Sequence, residues 1–477
     1  MTSSSASSPS SPAAAGDLLA RLAARLGPAG LLTAEDDMAP FAVDWRRLFP
    51  GRPLCVARPA STEEVAEVVR LAHAAGAAVV PQGGNTGLAG GAVPDGSGRQ
   101  VVLSLNRMNK VRAVDPVGLT LSADAGCILK VAQDAAAATG RLLPISLAAE
   151  GSATVGGVVS TNAGGVNVVR YGMARALVLG AEVVLADGTV LDLMRLLRKD
   201  NAGYDLKQLF IGTEGTLGIV TGAVLRLMPR PRDTVTALLS VPSPAAGVAL
   251  LGLVQERLGD TVSAFELMSG FSFDLLRRHM SLTPPIASGD WFVLVEAAAS
   301  LAGLREAAEE ALAAALEDGI ALDGVVAETG AQAAQLWALR EHITDGEARE
   351  GKSMKHDVSV PIADVPAFLA AADAALAAGA PGARVNAFGH LGDGNIHYNV
   401  ILGPGDDGAR INALVHDVVM RFAGSISAEH GIGQYRVEEL VQRRPAAEIA
   451  LAQRLKAALD PDGVLNPGKV LPVAKHR

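Results

Sequence analysis

The sequence predicts an α+β protein of at least two domains. Three observations carry that expectation: glycine-rich loops crowd the first 230 residues, strand and helix alternate after residue 235, and 477 residues exceed what one core fills. Apolar residues make up 49% and charged residues 19%, a globular balance, and the net charge of −9 leaves no basic face, so nucleic acid is not an expected partner. Cys55 and Cys127 are too few for a disulfide framework or a thiolate metal site, which suits a reducing compartment and leaves histidine and carboxylate as the ligands for any metal. No run approaches the roughly 18 apolar residues of a spanning helix and no signal-peptide pattern opens the chain, so a soluble protein with no transmembrane segment is expected.

Taken in order, MTSSSASSPSSPAAA (residues 1–15) cannot bury a core and is expected to be disordered. The following DLLARLAARLG reads as an amphipathic helix. Its Arg21 and Arg25 faintly suggest a transit peptide, and docking on the domain is the simpler account. Ser61 to Glu64 form a capping box that opens a helix with Val65, Val68, Val69 and Ala72 at helical spacing, leaving His73 on its surface. A strand AAVV then leads into PQGGNTGLAGG, with five glycines among the nine positions Gly83 to Gly91. Further glycine-rich segments begin at Gly151 and Gly212, the latter ahead of the strand IVTGAVLRL.

Beyond Pro229-Arg230-Pro231 the pattern becomes TALLSV, AAGVALLGLVQERL, SAFELM, then WFVLVEA, LREAAEEALAAAL, ALDGVVAE. These are strand, helix, strand units of a sheet with helices packed on one side. The tail reads as a helix stopped at Asp460-Pro461. The expected units are a tail over 1–15, a first domain over 16–230, a second over 231–430 and a C-terminal helical segment over 431–477 that packs back on the first.

Two formal motif matches fail on context. GPGDDG (403–408) puts aspartates where a pyrophosphate would sit, and GEAREGKS (346–353) follows a helix where a phosphate loop follows a buried strand. PQGGNTGLAGG differs, because it carries no charge from Pro81 to Pro94 and its glycines let successive N–H groups converge on an anion; a mobile surface turn is the alternative. GHLGDGNIHYN (389–399) sets His390 and His397 around turn residues, hence strand, turn, strand, with His397 and Asn399 on one face. Two imidazoles so held are candidate metal ligands or ordinary packing. Glu429-His430 alone reads as a polar loop before Gly431.

PQGGNTGLAGGAVP, GSATVGGVVSTNAGGVNVVRYG, LGAEVVLADGTVLD, KDNAGYDLKQLFIGTEGTLGIVTGAVLRL, GHLGDGNIHYNV, AEHGIG and LDPDGVLNPGK occur in one order. In that order the chain resembles, over nearly all its length after about residue 35, the FAD-linked D-2-hydroxy-acid dehydrogenases of the vanillyl-alcohol oxidase / p-cresol methylhydroxylase superfamily. The RYG, KDNAGYDLKQLFIG and GHLGDGN segments are similar to the branch acting on D-2-hydroxyglutarate.

The resemblance implies an FAD-binding domain of two α+β subdomains, a cap with an antiparallel sheet covered by helices, and a tail returning to the flavin. It implies that Gln82, Gly83, Gly84, Asn85, Thr86 and Gly87 bind the FAD pyrophosphate. Gly151, Ser152, Thr154, Gly157, Asn162 and Gly165 would run along the flavin, with Ile219 near the adenine and Asn466 back at the flavin. Relatives that tether FAD covalently carry a histidine where Asn85 stands, so FAD is expected to be non-covalent.

The resemblance also assigns His390, His397 and Glu429 to a divalent metal, zinc first, with iron, manganese or cobalt able to fit, and two imidazoles with one carboxylate and open positions agree with a catalytic site. It makes His430 the base that takes the hydroxyl proton, and Arg340, Thr344, Lys355 and Asn399 the substrate contacts. His279, His342, His356, His416 and His476 are left without a role. The implied reaction is oxidation of D-2-hydroxyglutarate to 2-oxoglutarate. D-lactate oxidation, or a place as the FAD-binding subunit of a glycolate oxidase-type complex, is the alternative. Electron-transfer flavoprotein or a quinone would accept the electrons, a homodimer is compatible, and the location would be cytoplasmic, or the mitochondrial matrix in a eukaryote.

Overall fold

The computed structural model describes residues 12–287 and 289–473. Residues 1–11 of the expected disordered tail and His476 lie outside the described residues. The first helix, Pro12–Leu26, opens inside that tail, so the expectation of disorder fails for Pro12 to Ala15. Leu18, Leu22 and Leu26, at i, i+4 and i+8, are buried together in the N-terminal core, which makes this a docking helix.

The N-terminal half is built on two large sheets around a main apolar cluster, with a short ladder of Arg141–Leu142 and Met228–Pro229 beside them. In the first, Pro53–Ala57, Gln100–Ser104 and Ala78–Gln82 run parallel, with Leu31–Leu32 antiparallel at the edge. The second is antiparallel, in the order Val111–Asp115, Thr120–Asp124, Ile219–Arg226, Val178–Val184, Val190–Leu193. The helix Thr62–Ala74 between strands starts as its capping box dictates: the Ser61 hydroxyl accepts from the Glu64 N–H, and the Glu64 carboxylate accepts from the Ala60 N–H one residue earlier than expected. Val464 and Leu465 join this same core, and Leu465 bridges Val79, so the chain's end returns to its first domain.

The C-terminal half is an eight-stranded antiparallel sheet. Its order is Asp323–Val326, Asp233–Val241, Trp291–Ala299, Val262–Ser269, Arg384–His390, Asn395–Ile401, with Ser353–Met354 and Asp357–Ser359 both pairing on the last strand. Alternation sorts its side chains. Phe265, Leu267, Ala387, Ile396, Tyr398 and Val400 face a core covered by helices Pro244–Leu258, Leu304–Glu317, Val365–Gly379 and Gly408–Arg421. Helices Gly270–Met280 and Gly330–Glu341 cover part of the other face over Leu238, Met268, Phe292 and Phe388, so helices occupy both faces where the sequence suggested one.

The stretch Ile362–Gly379 has a mean hydropathy of 1.5 and is long and apolar enough to cross a membrane, contrary to the sequence expectation. In the fold its stripe Val365, Phe368, Leu369, Ala372, Leu376 packs into the cap core, and its Asp373 accepts the Tyr398 hydroxyl. GPGDDG is a turn, its Asp406 carboxylate accepting the Gly403 N–H and its Asp407 capping the next helix. The segment 346–353 lies on helix Ile343–Glu350 and the turn after it, which removes the phosphate-loop reading.

Candidate functional site

The uncovered part of the cap sheet's second face gathers the polar residues. Strands Arg384–His390 and Asn395–Ile401 form the antiparallel pair expected around Leu391–Asp393, with Gly394 at φ +81 closing the turn. Register then sets the neighbours: Phe388 opposite His397, Asn386 opposite Asn399, Glu266 opposite His390 and Asp357 opposite His397. Alternation holds all of these on one side. His390 Nε2 lies 4.0 Å from Glu429 Oε2, His397 Nε2 lies 3.8 Å from Glu429 Oε1, and one donor atom from each of the three falls within 4.8 Å of the others.

Two nitrogen and oxygen donors on a tetrahedral ion at roughly 2.1 Å stand about 3.4 Å apart, so the trio fits a divalent ion after a small contraction. A second trio, Asp357, Glu429 and His430, satisfies the same spacing. It is the poorer cage, because the Asp357 carboxylate already accepts the Asn395 amide at 2.9 Å and the N–H groups of Glu429 and His430 at 2.9 and 3.0 Å.

Buried carboxylates organise the rest. Glu266, fully buried, accepts His390 Nδ1 at 2.6 Å and Arg340 Nε at 2.7 Å. Burial alone would raise its pKa, and the two cations outweigh that and lower it to about 2. The same contact raises His390 to about 9 against a burial that lowers it. Asp357, desolvated yet facing His430, His397 and Arg436, is held well below the usual carboxylate range. His397, desolvated and beside His390, is pushed far below the ordinary imidazole value.

Glu347 is also fully buried and accepts from Lys355 Nζ at 2.7 Å, Ser353 Oγ at 2.5 Å, Asn386 Nδ2 at 2.7 Å and Asn399 Nδ2 at 2.8 Å. Arg340 and Lys355 thus reach the site already paired, and Thr344 lies exposed on the first turn of helix Ile343–Glu350. His430 stacks beside His397 at 6.1 Å between ring centres, with Nδ1 3.4 Å from Asp357 Oδ2 and Nε2 3.5 Å from Glu429 Oε1.

The strip carrying Glu429 and His430 is clamped from both halves. Asp357 holds its start, while the Glu214 carboxylate accepts the N–H groups of Ile432 and Gly433 at 2.7 and 2.9 Å, and Ala89 O accepts those of Gln434 and Tyr435. Burial raises the Glu214 pKa against those bonds. The polar face therefore abuts the loop 82–91.

That loop works through backbone. The Gln82 amide is buried and turned inward, donating to Phe41 O and Ala92 O, and the Asn85 amide donates to Val43 O from a left-handed φ of 52. Gly83 and Gly84 press against the second glycine segment: a Cβ on Gly83 would stand 2.3 Å from Thr154 Oγ1 and one on Gly84 2.0 Å from Ser152 O. Thr154 caps helix Val155–Thr161 by accepting the Gly157 N–H, and Asn162 ends it at a left-handed φ of 52. Gly165, at φ +111, passes so close to Ser146 O that a Cβ would sit 1.9 Å away.

Thr86 and the exposed Gly84, Gly87, Gly151 and Ser152 stand at the rim, Ile219 is buried at the start of its strand, and Asn466 donates to Gly91 O and Glu214 O. Asn466 Oδ1 is buried with no hydrogen-bond partner among the described residues, as expected where a bound group supplies the donor. An uncharged glycine cradle and an orphaned carbonyl suit a dinucleotide.

Glu266, Asp357, Glu347 and Glu214 went unnoticed in the sequence. For Glu266 the available signal was an acid inside an otherwise apolar strand, SAFELM, since unpaired acids are almost never buried; Glu347 on a polar helix and Glu214 in a glycine turn offered no such signal.

Comparison with known proteins agrees with this construction. Residues 53–194 match the family described as FAD binding domain, and residues 230–470 match FAD linked oxidases, C-terminal domain. The chain is 41% identical over 447 residues to D-2-hydroxyglutarate dehydrogenase of Xanthomonas citri pv. viticola, covering 92% of this chain and 94% of that protein. It is 39% identical over 459 residues to the mitochondrial D-2-hydroxyglutarate dehydrogenase of Bos taurus, covering 94% and 82%. In fold it resembles p-cresol methylhydroxylase, with a TM-score of 0.77 at 17% identity over 98% of this chain and 99% of that one. Alkyldihydroxyacetonephosphate synthase follows at 0.73 and 18%, over 95% and 84%. The chain belongs to the FAD-linked oxidases, with an FAD-binding N-terminal half and the C-terminal domain of that family.

Proposed function

We propose that this chain oxidises D-2-hydroxyglutarate to 2-oxoglutarate, using non-covalent FAD and a divalent ion, zinc first, held by His390, His397 and Glu429. The observation that carries the reading is the meeting of those three donors beside His430 on a face that also presents Arg340, Lys355 and Asn399. The names of the relatives support the substrate.

The ion, when bound, polarises the substrate hydroxyl. Bound FAD would supply a two-electron acceptor for the hydrogen on Cα. The chain's own residues do the rest. Arg340, Thr344, Lys355 and Asn399 hold the carboxylates. Asp357, on the Nδ1 side of His430, favours the proton there, leaving Nε2 as the lone pair that receives the hydroxyl proton. Electron-transfer flavoprotein or a quinone accepts the electrons from reduced enzyme.

One observation favours a second substrate. Arg340 and Lys355 are each paired with a buried carboxylate, which weakens their pull on a distal carboxylate and suits a short acid such as D-lactate. Anaerobic addition of D-2-hydroxyglutarate to the yellow protein tests the main reading: the flavin band should bleach, and prior chelation should abolish the bleaching. Bleaching that chelation leaves untouched sinks the metal, and kcat/KM for D-lactate equal to or above that for D-2-hydroxyglutarate sinks the substrate.

A further inference from the structure

We propose that Glu266 is a positioning residue that aims the metal ligand His390 and the substrate cation Arg340 with a single carboxylate, so that ion affinity and substrate affinity are set together. The inference rests on the reading of His390 and Arg340 given above. Glu266 lies directly opposite His390 across the pair Val262–Ser269 and Arg384–His390, and each of its oxygens serves one partner: Oε1 takes His390 Nδ1 at 2.6 Å, Oε2 takes Arg340 Nε at 2.7 Å.

The division has two consequences. A proton held on Nδ1 by Glu266 leaves the His390 lone pair on Nε2, the atom that faces Glu429. On the other side, the bond through Nε fixes the guanidinium plane, which also lies over the Phe388 ring at 4.8 Å, and leaves the terminal N–H groups without an acceptor among the described residues, a fork open to a carboxylate. Phe388 sits two residues before His390 on the same strand face, so ring, imidazole and guanidinium form one packed unit with the carboxylate at its centre. A counter-ion that only balanced charge would need neither the one-oxygen-per-partner arrangement nor this register.

Two variants of the full FAD-loaded protein separate aim from charge. Glu266→Gln keeps the shape and removes one acceptor; Glu266→Asp keeps the charge and withdraws it by one methylene. Zn²⁺ affinity, measured by competition with a chromophoric chelator in the absence of substrate, should fall on the order of 10- to 100-fold in both. At saturating Zn²⁺, KM for D-2-hydroxyglutarate should rise on the order of tenfold, by more than kcat falls. An Asp variant with wild-type Zn²⁺ affinity and KM reduces Glu266 to a counter-ion and overturns the proposal, and so does a Gln variant that loses Zn²⁺ while its saturated KM stays within twofold. If Gln fails to fold, the Asp variant alone decides. Wild-type protein that binds no Zn²⁺ sinks the metal reading itself, a result distinct from either.

Discussion

Between Gln82 and Gly91 the N-terminal half offers the site main chain: glycines stacked against Ser152 and Thr154, inward-turned amides and no charged side chain. On strands Arg384–His390 and Asn395–Ile401 the C-terminal half offers side chains, each steered by a buried carboxylate: Glu266, Asp357 or Glu347. Backbone suits the first task, because phosphates need many N–H groups at close approach and no titration. Carboxylate-held imidazoles and cations suit the second, because proton transfer and substrate capture need particular atoms aimed in particular directions. The strip Ser427 to Tyr435 joins the two, clamped by Asp357 on one side and by Glu214 and Ala89 on the other.

If the division is real, damage to the first half removes the cofactor and damage to the second leaves it. The largest effect is expected from Gly84→Val. Even its Cβ would stand 2.0 Å from Ser152 O, a backbone atom that cannot swing aside, so the loop must leave its seat. The purified variant should carry almost no flavin by the ratio of visible to ultraviolet absorbance, while unfolding as cooperatively as the parent. A variant of normal yellow colour would show that the contact between the glycine segments does not hold the cradle.

His430→Ala tests the other half. Its ring pairs with Asp357, Glu429 and His397, all in the C-terminal half, so the protein should stay yellow, and anaerobic reduction by D-2-hydroxyglutarate should slow by roughly 10²- to 10⁴-fold, the range of general-base catalysis. Stopped-flow reduction within threefold of the parent would remove His430 as the base.

The same contrast explains what the sequence disclosed. A glycine cluster such as GGNTGLAGG and a turn such as LGDG are local signals, so the close-packed glycine loop and the hairpin could be read directly. Glu429 and His430 stood out only through resemblance. The carboxylates escaped because their partners are set by register over long separations: Glu266 and His390 are 124 residues apart, Asp357 and His430 are 73. Arg340 and Lys355 were legible as cations while their pairing with Glu266 and Glu347 was not, and that pairing is what bears on substrate choice. The stretch Ile362–Gly379 shows the limit of composition, since the apolar stripe of its helix is a cap-core face.

The smallest expected effect sharpens what a carboxylate does for a buried imidazole. His390, bound to Glu266, has its pKa raised to about 9; His356, 1% exposed and bound to Tyr398 O with no carboxylate beside it, has its own lowered to about 3 by burial and then by His416. His416, whose ring centre is 5.4 Å from that of His356, is lowered to about 4 by burial, with Arg436 and Arg443 adding to the effect, even though Glu439 stands 3.2 Å from its Nδ1 and pulls the other way. Both therefore stay neutral in the folded chain down to about pH 4, while in the unfolded chain each takes up a proton from about pH 6.5 downward. The unfolded state then binds more protons, so stability falls as pH drops through this window, by roughly 1 kcal/mol per imidazole between pH 7 and pH 5.5. Urea unfolding of the parent and of His356→Phe at pH 7 and pH 5.5 should show the variant losing less stability on acidification by about that amount, whatever its stability at pH 7. Equal losses would mean that His356 already carries its proton when folded, and that burial without a carboxylate does not keep an imidazole neutral in this cap.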